Sequence, residues 1–388
     1  MKVVIAIDSL KGSLSSIEAG NAAADGVRAA MPDAKVVVKP LADGGEGTTD
    51  ALIEGMGGEK IVLRVTGPVG EPVEAYYGWI AGQQMAVLEM AAAAGITLLP
   101  DGRGDPMQAT TRGVGEMILD ALDRGCQNFL IGIGGSATND GGIGMLQALG
   151  FRFLDTDGEP VGEGAQALGN VVKVDCAGAD SRLAACQFRI ACDVTNPLCG
   201  ENGATYVFGP QKGVTEEMKQ PLDAAMASYG QAVAKAVGAD HMQEPGTGAA
   251  GGLGFAFRSF LQAELTPGIE LILDAVGLEQ ELQDADYAIT GEGKLDFQTA
   301  MGKAPVGVAR LAKKHGACVL AFAGSVTKEA KACNAAGIDA FFPIVRGVTT
   351  LEDAMKKEVA AENMQASVEQ VFRAIAAVTE NLQFFHGK

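Results

Sequence analysis

Histidine is scarce in this 388-residue chain, with only His241, His315 and His386, each apart from the others and in polar surroundings. That argues against a histidine metal cage or a Ser-His relay and leaves acid–base chemistry to carboxylates and lysines. His315, in K-K-H-G, reads as a helix C-terminal residue. The seven cysteines (126, 176, 186, 192, 199, 318, 333) form neither a C-x-x-C pair nor a zinc-type spacing with histidine. They read as reduced, mostly buried thiols, which fits the cytoplasm. No unbroken apolar stretch has bilayer-spanning length, and Asp8 cuts the opening M-K-V-V-I-A-I-D too short for a signal peptide. Positive charge is short as well: 30 Lys and Arg face 48 Asp and Glu, a net charge of −18 that repels nucleic acid and anionic membrane surfaces. A phosphate ligand would therefore need local capture by backbone N–H groups, a few lysines and a divalent cation held by carboxylates. A Walker loop is missing too, since neither G-E-G-K-L-D nor M-G-K-A-P has the spacing G-x-x-x-x-G-K-[ST].

What remains is 47% apolar and 20% charged, a globular composition with material for two or three domains. The central feature is F-L-I-G-I-G-G-S-A-T-N-D-G-G-I-G, Phe129 to Gly144: a buried strand, a glycine loop and a helix from about Gly144 to Leu149. Glycines let a ligand approach the backbone, and successive N–H groups at a helix start favour a phosphate. Gly134 and Gly135 form the turn, and Ser136, Thr138, Asn139 and Asp140 supply polar groups, Asp140 as a helix cap or a metal ligand.

At the N-terminus, strand Val3 to Ile7, a helix capped by Ser15 or Ser16 and strand Lys35 to Val38 make a β-α-β unit. Turn-rich T-G-P-V-G-E-P and antiparallel strands Val73 to Ala81 and Met85 to Met90 then change the texture. Glycine-rich Gly246 to Gly254 reads as a close helix contact rather than a ligand loop. The β-α-β texture returns from Ala285. The expected fold is α/β: a doubly wound, Rossmann-like domain built from both chain ends, residues 1–65 and 284–388, with a large inserted α/β domain over 66–283.

Polar clusters fall at the carboxyl ends of the predicted strands, where open α/β sheets bind ligands: Asp8 with Lys11, Asp43 with Glu46, Ser136 to Asp140, Asp193 with Asn196, and Glu292 with Lys294, Asp296 and Gln298. Any one of them alone reads as caps and turn residues. Together they match phosphoryl transfer, which needs Mg²⁺ ligands, a base for the acceptor hydroxyl and cationic or N–H donors. Two rivals stand beside it. Gly132-x-Gly134-x-x-Ala137 with Asp155 after the next strand imitates a dinucleotide fingerprint and suggests a nicotinamide-dependent dehydrogenase, although Asp140 would then stand near the pyrophosphate. A non-enzymatic binding module leaves so many convergent ionisable groups without a task.

D-S-L-K-G-S (8–13), A-D-G-G-E-G-T (42–48), G-I-G-G-S-A-T-N-D-G-G (132–142), A-C-D-V-T-N-P-L (191–198), F-G-P-Q-K-G (208–213), G-A-A-G-G-L-G (248–254) and I-T-G-E-G-K-L-D-F-Q-T (289–299) resemble, in this order, the bacterial glycerate kinase family across nearly the whole chain. The resemblance implies an ATP- and Mg²⁺-dependent kinase acting on D-glycerate, usually at the 2-hydroxyl, with 3-phosphoglycerate as the alternative product. It also implies a site in a cleft between the two domains. Where relatives commonly carry G-E-G-R-I-D-S-Q, this chain has Lys294, Leu295 and Phe297, so a bidentate arginine fork is replaced by a point charge. On this basis Asp193 is expected as the base, with Lys11 and Asp8 beside the chemistry. Gly134, Gly135, Ser136, Thr138, Asn139 and Lys294 are expected at the nucleotide phosphates. Asp43, Asn196, Gln298 and Thr299 are expected at the substrate. Asp296, Glu292 and Glu46 are expected at Mg²⁺, with Asp43 a further candidate there. The partners expected are D-glycerate and, as an open alternative, a second copy of the chain.

Overall fold

The N-terminal run K-V-V-I-A-I folds as an interior strand of a parallel sheet, buried along its whole length, as the unbroken apolar stretch Val3 to Ile7 requires. The computed structural model describes residues 1–45, 47–100 and 104–386, with side chains through 379. Two compact units emerge: Met1–Asp43, Glu54–Met56 and Ile272–Lys388 form the first, Gly44–Ile53 and Gly57–Leu271 the second. In chain order the strands are β1 (Lys2–Ile7), β2 (Lys35–Val38), β3 (Glu59–Thr66), β4 (Pro72–Ile80), β5 (Met85–Glu89), β6 (Asn128–Gly132), β7 (Arg152–Leu154), β8 (Lys173–Asp175), β9 (Gln187–Ala191), β10 (Glu264–Thr266), β11 (Tyr287–Leu295), β12 (Cys318–Val326) and β13 (Ala340–Pro343).

In the first unit the sheet order is β13-β12-β11-β1-β2, with every neighbouring pair parallel. Val3, Ile5 and Ile7 join Leu320 and Phe322 in a core closed by helix Ser16–Ala30 and by Met364, Val368 and Phe372 of the C-terminal helix Lys357–His386. The period of two turns Val4 and Ala6, equally buried, to the opposite face. Helix Ala304–Lys314 packs on β11 and β12 with Val306, Val308 and Ala312 buried outside that core, and His315 is its C-cap. Ser15 starts the first helix as a capping box with Glu18, each side chain accepting a hydrogen bond from the other's backbone N–H.

β11 runs farther than its apolar residues suggest. The G-E-G-K-L segment reads as a loop after the strand, yet it continues the ladder, with Glu292 opposite Ala323 and Lys294 opposite Ser325 on β12. Gly291 permits this, since a Cβ there would meet the Phe322 carbonyl oxygen at 1.9 Å.

The second unit holds a mixed sheet of order β10-β9-β6-β5-β4-β3, antiparallel from β3 to β5 and parallel from β5 to β10. β3 precedes the expected break after residue 65, but it pairs with β4 along its full length and belongs with this sheet. Toward the C-terminus the division falls between Leu271 and Ile272 rather than at 284. These edges lie in or beside regular elements, where composition changes little. Phe129 and Phe188 stack at 4.7 Å in a core shared with helices Arg112–Asp123, Glu216–Val237 and Ala249–Leu261. Among the described strands β7 pairs with β8 alone, as an antiparallel ribbon outside the main sheet. The Gly246 to Gly254 stretch packs closely, for a Cβ on Gly251 would meet the Thr138 carbonyl oxygen at 2.1 Å.

Candidate functional site

In the first unit the carboxyl ends of β1, β11 and β12 surround a cavity of about 650 Å³. Asp8, Lys11, Asp43, Glu292, Lys294 and Asp296 all line it. Six of the residues singled out by sequence thus share one wall system, although Asp8 and Asp296 are far apart in the chain. Glu292 and Lys294 stand two apart on β11 and so face the same side. Asp8 accepts a hydrogen bond from the Ser9 N–H at 2.7 Å. Burial, the nearby Asp43 and Glu292 charges together push its carboxyl up to about 7, against the opposing pull of Lys11. Glu292 is buried and accepts the Thr299 hydroxyl at 2.6 Å; its pKa is raised by burial, with Thr299 and Lys303 pulling the other way.

Asp296 caps helix Phe297–Ala300, accepting the Gln298 N–H at 2.9 Å, while Thr299 Oγ1 accepts the Asp296 N–H at 3.2 Å. Thr299 is therefore a buried brace between two cavity acids. Gln298 is exposed on the same turn and is not among the lining residues. Lys294 lies 3.9 Å from Asp296 with most of its side chain in solvent. The sequence reading missed Lys303, which lines the cavity at the N-cap of helix Ala304–Lys314. Its only local signal is M-G-K-A-P, a glycine before and a proline after at a helix start. Glu46 lies outside the described residues. Among the described residues no three His, Cys, Asp or Glu side chains are gathered as a metal-binding set.

In the second unit the glycine loop follows β6. Gly134 and Gly135 are exposed, and a Cβ on Gly134 would meet nothing within 4 Å, so a ligand can reach this backbone. Ser136 is nearly buried and bridges Gly95. Beyond it the polar groups turn inward. Thr138 and Asn139 are wholly buried, and Thr138 Oγ1 and Asn139 Oδ1 have no hydrogen-bond partner among the described residues. Asn139 Nδ2 donates to Thr205 Oγ1 at 3.0 Å, and the Thr138 carbonyl accepts from Lys212 Nζ at 2.6 Å.

Of the two roles open to Asp140, the structure shows the cap: its carboxylate accepts from the N–H groups of Gly142 (3.0 Å) and Gly144 (3.3 Å) at the start of helix Ile143–Ala148. It also accepts the Thr111 N–H (2.9 Å) and hydroxyl (2.8 Å), and burial raises its pKa. Burial lowers the Lys212 ammonium to about 7, with Asp140 opposing. The sequence marks Lys212 only as a turn lysine, because its partners lie 74 residues away in the chain.

Asp193 projects to solvent just past β9, one oxygen accepting the Gly268 N–H at 2.9 Å at the start of helix Gly268–Ala275. Asn196 instead braces its own loop, its side-chain amide donating to the Asn202 carbonyl at 2.8 Å and its backbone carbonyl accepting the Gly248 N–H at 2.9 Å. Glu89, at the end of β5 and unremarked in the sequence, accepts the Thr49 N–H at 2.9 Å and, more weakly, the Gly47 N–H at 3.4 Å. Burial raises its pKa.

Two α/β units with ligand-accessible glycines and an acid- and lysine-lined cavity at strand ends define a class of small-molecule enzymes. The glycerate kinase family model matches residues 3–376. The chain is 47% identical over 375 residues to a glycerate kinase of Bacillus subtilis, covering 97% of this chain and 98% of that one. It is also 47% identical over 356 residues to the glycerate 2-kinase of Escherichia coli, 92% of this chain and 93% of that one. A crystal structure described as a glycerate kinase 2 from Salmonella typhimurium LT2 superposes with a TM-score of 0.89 at 45% identity, covering 98% and 99% of the two chains. The chain belongs to the glycerate kinase family.

Proposed function

We propose that this protein transfers the terminal phosphoryl group of ATP to the 2-hydroxyl of D-glycerate, giving 2-phosphoglycerate and ADP in an Mg²⁺-dependent reaction. The observation that carries this reading is the cavity in which Asp8, Asp43, Glu292 and Asp296 face Lys11, Lys294 and Lys303. Four carboxyl groups stand against three ammonium groups, with Asp8 raised to about 7 by burial and by the Asp43 and Glu292 charges, so the lining carries no net positive charge for a bare anion. Such a place fits a triphosphate carried with a divalent cation better than a bare anion. Mg²⁺ usually takes only one or two protein carboxylates together with phosphates and water, so Glu292 and Asp296, with Asp43, are a sufficient donor set. When bound, the ion would neutralise charge on the phosphates.

The chain's own groups have separate tasks. Asp193, exposed and held by the Gly268 N–H, accepts the proton of the 2-hydroxyl as its oxygen forms the new bond to phosphorus and the bond to the ADP oxygen breaks. Lys11 and Lys294 supply fixed positive charge for anionic groups, and the open backbone at Gly134 and Gly135 offers N–H donors to phosphate oxygens. The 2-position rests on similarity to the Escherichia coli enzyme. A dehydrogenase reading loses its fingerprint, because β7, which precedes Asp155, lies outside the parallel sheet. The seven cysteines are free, in keeping with the cytoplasm.

The test couples purified protein, D-glycerate and MgATP to enolase. Direct signal is expected. Signal only after phosphoglycerate mutase is added would make the 3-hydroxyl the acceptor, and NAD reduction by a hydroxy acid would overturn the kinase reading.

A further inference from the structure

The cavity of the first unit is too large and too unequal for its charged residues alone. The acids and lysines described above come from the strand ends and the turns after them; the chain from Ile344 to Ala360 adds an apolar part to the lining, with Val345, Leu351 and Met355. Glycerate, with a three-carbon skeleton, would leave most of 650 Å³ empty, whereas cavities of roughly 300 to 1,000 Å³ suit ligands the size of a nucleotide. A lining with a charged and an apolar part matches a molecule with an anionic tail and a flat, neutral head.

This apolar segment has two features of a ring-binding surface. Met355 reaches over the turn after β1, so that a Cβ on Gly12 would meet its Cε at 2.8 Å, and a thioether packs favourably against an aromatic ring. Leu351 is 76% exposed at the same wall, an apolar surface with little of this chain against it. One amide also faces the cavity: Asn363, half-buried on helix Lys357–His386, whose carboxamide has no hydrogen-bond partner among the described residues.

Resting on the kinase reading above, we propose that the part of the cavity lined by this apolar segment binds the purine base of the nucleotide co-substrate, with Asn363 hydrogen-bonding the base edge. A carboxamide offers one acceptor and two donors, which pairs in bidentate fashion with the amino group and N7 of adenine. Guanine presents two acceptors at the same edge, so Asn363 favours ATP over GTP.

Two variants test the site without touching the charged residues. Asn363→Leu removes the amide at similar size, and Ala354→Trp fills the apolar part from a half-buried position. Circular dichroism and thermal melts establish that each folds. Steady-state constants are then measured for ATP, GTP and D-glycerate, along with the inhibition constant of inorganic tripolyphosphate, which has the charged tail and no base. The expected result is a rise in KM for ATP of about tenfold or more in both variants, the size of losing one good base contact. KM for glycerate and inhibition by tripolyphosphate should stay within about twofold, and ATP should lose its advantage over GTP in Asn363→Leu. An unchanged KM for ATP in both folded variants overturns the proposal, as does a rise confined to glycerate, which would make this part the acceptor pocket. A wild-type protein inactive with every nucleoside triphosphate overturns instead the kinase reading on which the proposal rests.

Discussion

The two units handle the same residue types in opposite ways. Around the first unit's cavity, acids and lysines face an open volume, and their internal partners are few: Lys294 stands 3.9 Å from Asp296 and points mostly to solvent. Beneath the second unit's glycine loop, Asp140 and Lys212 are buried and committed to neighbouring backbone groups. A titratable group in open volume is available for a ligand. One whose hydrogen-bonding capacity is consumed inside the fold supports the backbone that surrounds it.

Substitutions can sharpen or break that contrast. The largest effect is expected at the exposed acid of the second unit. Asp193→Asn should lower kcat by about 10²- to 10⁴-fold, the range for losing a positioned base, with KM for ATP nearly unchanged. Near-normal turnover would remove Asp193 from the chemistry.

Asp140, though close in type, should behave differently. Asp140→Ala leaves four donors without their acceptor, and thermal unfolding should show a loss of about 3 kcal/mol or more whether or not substrates are present. A folded variant of wild-type stability but no activity would instead make Asp140 a catalytic group.

In the open cavity, Lys11→Ala should raise KM for glycerate or ATP about tenfold and lower kcat, with little change in melting temperature. Lys294→Ala should be milder, because that side chain is 60% exposed and its charge is screened. A collapse of stability in Lys11→Ala would put this lysine in the committed class.

The last difference is a pH dependence. Lys212 binds its proton up to an ordinary pKa of 10.5 in the unfolded chain but only to about 7 when folded. Between those values the unfolded state holds the extra proton, so this group's contribution to stability rises as pH increases from 7 to 10.5. Lys212→Met should abolish that rise, visible as a difference in the slope of Tm against pH between the two proteins. Parallel slopes would show that the ammonium keeps its proton in the fold.

Much of the architecture was legible beforehand because it rests on local patterns. The Ser15 cap, the β4–β5 hairpin and the strand leading to the glycine loop follow from periodicity and turn chemistry. The extension of β11 was not legible: G-E-G-K-L has turn composition, and the extended state is imposed by the ladder with β12. The placement of β3 was equally hidden, since an isolated apolar run does not name its partner strand.

Among the candidate residues, type and approximate place along the chain could be read directly. Strand ends collect ligand-binding groups, and the glycine loop advertises open backbone. Burial could not be read. Ser136, Thr138, Asn139 and Asp140 look as available in sequence as Asp193, and Lys303 and Glu89 look ordinary. Which side chains enter a cavity and which are spent inside the loop depends on contacts such as Lys212 with Thr138 and Asp140 with Thr111, between segments distant in the chain. Local order is written in neighbouring residues, because backbone preferences and capping act over a few positions. Solvent exposure and proton affinity follow from packing, because desolvation and Coulomb interactions depend on distance in space.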